Sequence, residues 1–108
     1  MDVRRELGLE PRECDEFGHW VDPVLRTERG WHEDLAAQGH VPFVLDDTEY
    51  FIFPLGEHKY GLNTWMEMKK GGYPKWKFDS EEALLDAKIF NGRSIRERLG
   101  EIKVFEEY

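Results

Sequence analysis

The stretch Glu49-Tyr50-Phe51-Ile52-Phe53 decides the fold. It joins aromatic and β-branched side chains in an unbroken run, which suits a buried, pleated surface. Pro54 follows, and its missing N–H and fixed φ are expected to end the strand. On the N-terminal side, Asp46-Asp47 reads as a turn and residues 41–45 as a second apolar strand. On the C-terminal side, residues 55–59 read as a loop and residues 60–69 as the next strand. Lys70-Gly71-Gly72 then supplies a turn, and residues 73–78 return as the partner strand of an antiparallel hairpin.

Outside this middle the pattern turns helical. Residues 30–38 place Trp31 and Leu35 four apart on one side, with Gly39 as a stop. Residues 2–9 and 11–17 read as short helical turns, and Asp22-Pro23 as a turn or helix start. Toward the other end, Asp79 with Glu82 three residues later has the form of a capping box, ahead of Leu84, Leu85 and Ala87. Ser94 with Glu97 repeats that form, and Ile95, Leu99 and Ile102 recur at helical spacing. Residues 102–105 read as a last strand. The expected fold is α+β. An antiparallel sheet of about four to five strands comes from the central part of the chain, and helices from the N- and C-terminal thirds pack on one side of it. The 108 residues fit a single domain, 1–108.

Composition narrows the setting. One cysteine, Cys14, excludes an intrachain disulfide and any four-cysteine zinc site. With no apolar leader at the N-terminus and no long apolar run, the expectation is a cytoplasmic protein without a membrane partner. Fifteen basic and 23 acidic residues give a net charge of −8. The acid is concentrated at the ends: residues 1–40 carry five basic and ten acidic groups, and residues 79–108 five and eight, while residues 41–78 balance at five each. Such ends repel nucleic acid and attract basic proteins.

Catalytic patterns are missing. His19, His32, His40 and His58 are scattered, and with Cys14 they match no compact zinc spacing, so they read as surface or capping histidines. The paired carboxylates Glu33-Asp34, Asp46-Asp47 and Glu81-Glu82 fall at helix starts and a turn, where negative charge has a structural use. Ser80 and Ser94 lie near helix caps, and Cys14 sits among Glu13, Asp15 and Glu16, which raise a thiol's pKa. No catalytic residue, metal ligand or cofactor is assigned.

Three functional readings follow. The first is a small, acidic, non-enzymatic protein-binding domain, an inhibitor of a basic nucleic-acid-handling enzyme as immunity, antitoxin or phage anti-defence proteins are. Its acidic face would comprise Glu13, Asp15, Glu16, Glu33 and Asp34. The second is a nucleic-acid or anionic-ligand module using the hairpin 69–78, with Lys69, Lys70, Lys75 and Lys77 as cations and Tyr73 and Trp65 as exposed rings. On an extended segment, Lys75 and Lys77 alternate with Trp76 and Phe78, which are expected to pack inward. The third is a small metal-assisted enzyme.

Overall fold

The computed structural model describes residues 15–106. Four strands form one antiparallel sheet in the order β1-β2-β3-β4: β1 is Val41–Leu45, β2 Thr48–Gly56, β3 Lys59–Thr64 and β4 Trp76–Phe78. The expected α+β architecture is present, with helical segments before and after the sheet in sequence. Asp46 and Asp47 join β1 to β2 at φ of 51° and 59°. Two consecutive residues at positive φ give a turn whose twist matches that of the flanking strands, and Asp tolerates that region better than most side chains.

Register fixes the two faces. Val41 pairs with Ile52, Ile52 with Leu62, and Leu62 with Trp76, so these side chains line one face, the front. Phe51 pairs with Asn63, Gly61 with Phe53 and Val44 with Glu49, which line the back. Two helices cover the front: α1, Glu28–Ala37, and α3, Glu81–Asp86. Trp31 of α1 meets Phe43 edge-on at 5.3 Å, and Leu84, Leu85, Phe90, Ile95 and Ile102 complete a fully buried core. A 3-10 turn at Pro23–Arg26 leads into α1. The approach is so close that a β-carbon on Gly30 would sit 1.8 Å from the Val24 carbonyl oxygen. Glycine is required there by space rather than by φ.

Several elements differ from expectation, each for a local reason. The strand expected over 60–69 stops at Thr64, and Trp65–Lys69 is a helix, α2. The Thr64 hydroxyl accepts from the Glu67 N–H, so Thr64-Trp65-Met66-Glu67 is an N-terminal cap that overrides the β-like residues before it. Gly71-Gly72 closes this helix rather than a hairpin. The Gly72 N–H donates to the Glu67 carbonyl at 2.9 Å and the Gly71 N–H to Met68 at 3.0 Å, with Gly71 at φ +79°. That pair of bonds is a Schellman ending. The return strand shortens from 73–78 to Trp76–Phe78.

At Pro54 the strand does not end; a register shift between Pro54 and Gly56 absorbs the missing donor and β2 runs on to Gly56. Helix α1 begins two residues before the expected start, capped by Thr27, and ends at Ala37 ahead of Gly39, whose φ is +73°. Ser80, not Asp79, caps α3, accepting from the Ala83 N–H at 3.0 Å. The Ser94–Glu97 capping box forms as read, with reciprocal bonds of 3.2 Å. Residues 102–105 make isolated bridges, Lys103 to Val44 and Val104 to Trp20, beside β1. Residues 15–17 lie in a hydrogen-bonded turn and not in a helix; the rest of the helical turns expected over 2–9 and 11–17 falls outside the described residues. No helix among the described residues is long and apolar enough to cross a membrane.

Candidate functional site

The run Tyr50-Phe51-Ile52-Phe53 is apolar on both strand faces, so both sides of β2 need cover. On the back, that cover is a chain of rings. Phe51 touches Phe53, His40 and Trp65; Trp65 touches Phe105; Phe105 meets His19; and His19 meets Phe17. Centroid separations run from 5.3 to 6.4 Å, the range in which aromatic pairs attract.

His19 is the last buried ring of this series, at 4% exposure, and is not the surface or capping histidine expected. Its Nε2 lies 2.9 Å from a Glu49 carboxylate oxygen. Its Nδ1 is shut off from solvent and makes no hydrogen bond; the nearest carboxylate oxygen, on Asp15, is 3.9 Å away. Asp15 is in turn fixed by the chain around it. It accepts from the N–H groups of His19 and Phe17 at 3.0 and 2.9 Å, and from Lys103 Nζ at 3.1 Å. The His19 N–H bond is the largest cause that holds the Asp15 carboxyl at a pKa of about 2, against an ordinary 3.8.

A groove of about 480 Å³ opens over this arrangement, lined by Phe17, His19, Asp47, Thr48, Glu49, Thr64 and Met66. Its two apolar lining side chains, Phe17 and Met66, are 62% and 65% exposed. Its lining also holds two carboxylates, those of Asp47 and Glu49. A smaller cavity of about 320 Å³ lies between the end of α1 and the β2–β3 turn. The carboxylate it shares with the core region, Glu81, is already engaged by His32 at 2.6 Å and by the Tyr60 hydroxyl at 3.1 Å.

Other acidic residues have structural partners. Asp46 receives Arg98 through two parallel bonds of 2.6 Å, and Asn91 through a third. The guanidinium lowers the Asp46 carboxyl pKa and also binds Glu101 at 2.9 and 3.0 Å. The β1–β2 turn is thereby tied to the C-terminal 3-10 segment Arg96–Glu101. Arg96 binds Asp86, Glu82 and Glu28, bridging α3 to α1.

The residues expected to form an acidic face are divided. Asp15 and exposed Glu16 belong to the segment that covers the back of the sheet, whereas Glu33 and Asp34 lie on α1 at the front. Glu33 pairs with Arg29 at 2.9 Å. Asp34 is half-buried, and burial, then the charges of Asp22 and Glu33, raise its carboxyl pKa. Glu13 and Cys14 lie outside the described residues. Of the hairpin residues, Trp65 is half-buried against Phe51 and Phe105. Lys69, Lys70, Tyr73, Lys75 and Lys77 are exposed. The histidines do not converge: His19 pairs with Glu49, His32 with Glu81, and His40 and His58 are on the surface. No three His, Cys, Asp or Glu side chains among the described residues are placed to hold a metal ion.

Sequence reading missed the Glu49–His19 pair and the groove. A signal existed: Glu49 stands in alternation with Phe51 and Phe53, a carboxylate on the apolar back face of a strand. Such a group needs a partner. Compared with protein-family models, curated proteins and solved structures, the chain matches none.

Proposed function

We propose that the chain is a non-enzymatic protein-binding domain that takes a cationic, partly apolar segment of a basic partner into the groove between Phe17 and Met66. The observation that carries this reading is the make-up of the groove. Two large apolar side chains stand in solvent beside a floor whose exposed or half-exposed ionised groups, Asp47 and Glu49, are acidic. Apolar anchors next to a matched charge are what a selective protein interface uses. The overall charge of −8 adds steering toward a basic surface. An inhibitor of a nucleic-acid-handling enzyme is the finer form of the proposal, since such enzymes carry the basic surface this groove complements.

The site chemistry favours binding over catalysis. A general base needs a nitrogen that can reach substrate. His19 has one ring nitrogen engaged by Glu49 and the other enclosed. The imidazole therefore joins the 15–19 segment to β2 and positions Glu49.

The test is capture from an extract of the source cells on immobilised protein at low and high salt, with Phe17→Ser/Met66→Ser alongside. The expected result is a basic protein retained at low salt, released at high salt, and lost on the double variant. Retention of no basic protein at low salt would contradict the proposal.

A further inference from the structure

A second surface has the opposite charge. Residues 68–78 hold four lysines and no acidic residue, in a chain where acid outnumbers base by eight. Most other described cations are used internally: Arg26 binds a backbone carbonyl, and Arg29, Arg96, Arg98 and Lys103 bind carboxylates. Lys69, Lys70, Lys75 and Lys77 make no ion pair among the described residues. Lys75 does have a neighbour, its Nζ lying 4.8 Å from the centre of the Trp76 ring.

Tyr73 stands at the centre of this segment at 87% exposure, the most exposed of the large apolar side chains described. Its backbone is held although its ring is free. The buried Asn63 side chain donates to the Tyr73 carbonyl at 2.6 Å, and the Lys75 N–H donates to Leu62 at 3.0 Å. The Schellman bonds at Gly71 and Gly72 fix the approach. Pro74 packs over Gly61, where an added β-carbon would come within 3.0 Å of it. Along 73–78, exposed Tyr73, Lys75 and Lys77 alternate with half-buried Pro74, Trp76 and Phe78. The backbone is thus pre-set, and of the groups it presents only the Lys75 ammonium, against Trp76, has an internal contact.

We infer that this loop is a binding site for single-stranded nucleic acid, with a base stacked on Tyr73 and phosphates met by Lys69, Lys70, Lys75 and Lys77. Single-strand recognition needs flat rings beside cations on one backbone path. Trp76 and Phe78 are half-buried against the core, so Tyr73 is the exposed ring that meets that need. An acidic peptide would use the lysines but gain little from a free aromatic face, which is why nucleic acid is favoured. The inference stands apart from the groove, because the two sites share no residue.

The test is fluorescence anisotropy of a labelled single-stranded oligothymidylate and oligouridylate titrated with the full chain at low salt. Poly-glutamate serves as the competing polyanion. Tyr73→Ala should weaken binding roughly tenfold, and Lys75→Glu/Lys77→Glu should abolish it. Affinity should fall steeply with added salt. Phe17→Ser/Met66→Ser should leave it unchanged, which separates this site from the groove. All five positions are exposed, so thermal melting of each variant should match the wild type. No binding at low salt, binding indifferent to Tyr73→Ala, or equal competition by poly-glutamate would each overturn the inference.

Discussion

The two faces of the sheet solve different problems. The front is covered by aliphatic and aromatic side chains from α1, α3 and the C-terminal segment, and Trp31, Phe43, Ile52, Leu62, Leu84, Leu85, Ile95 and Ile102 have no more than 1% exposure. The back is covered by one layer of rings that ends at a buried histidine between two carboxylates and at an open groove. A closed, fully buried layer serves stability. A ring layer with a charged, open end sacrifices some packing for a surface that can meet another molecule. On the proposed function, binding belongs to the back, while the fully buried side chains are concentrated on the front.

Substitutions on the two faces should therefore separate stability from binding. The largest loss of stability is expected from Ile52→Ala on the front, about 2–5 kcal/mol by the large-to-small core range and toward its upper end because the side chain is fully buried, measured by urea unfolding. Arg98→Ala, which frees Asp46 and loosens the β1–β2 turn, should cost roughly 2–3 kcal/mol; that figure sits below the range for a fully buried pair because the Asp46 side chain is 41% exposed. Glu49→Gln keeps the groove's shape and a hydrogen-bonding group near His19. It should cost less than about 1 kcal/mol while weakening capture of a basic partner. A large loss of stability there would make Glu49 a structural residue and break the contrast between the faces.

The smallest effect is confined to acid. Asp15 has a folded pKa of about 2, below its ordinary 3.8. Its contribution is complete above about pH 4 and is lost as the pH falls toward 2. Acid unfolding of Asp15→Asn should run parallel to the wild type above pH 4 and decline less steeply between pH 4 and 2. Parallel curves throughout that window would show that the turn over 15–19 does not depend on the ionised carboxyl.

Much of the front was legible in the sequence, because period and caps point the same way there. Trp31 and Leu35 four apart, the stop at Gly39, the Asp46-Asp47 turn and the Ser94–Glu97 box all appear as read. The back was less legible because its cover comes from distant places: Phe17 and His19 before α1, Trp65 in the middle, and Phe105 near the end. No local period links those residues. The α2 helix was overlooked for a different reason. Thr64 and Trp65 favour strands, and only the Glu67 that completes Thr64-Trp65-Met66-Glu67 marks a helix start. The acidic face drawn from adjacent residues in sequence divided between the two sides of the sheet. The groove's acids, Asp47 and Glu49, come instead from the turn and first residues of β2.

The central claim is that the groove, rather than acidity at large, receives the partner. Its most direct test compares wild type with Phe17→Ser/Met66→Ser, which leaves the net charge at −8, in capture from source-cell extract at low salt, with retained proteins identified by mass spectrometry. The account predicts that a basic protein held by the wild type disappears from the double variant while the variant's melting temperature is unchanged. Equal retention by both proteins would contradict it and return the binding to unspecific charge.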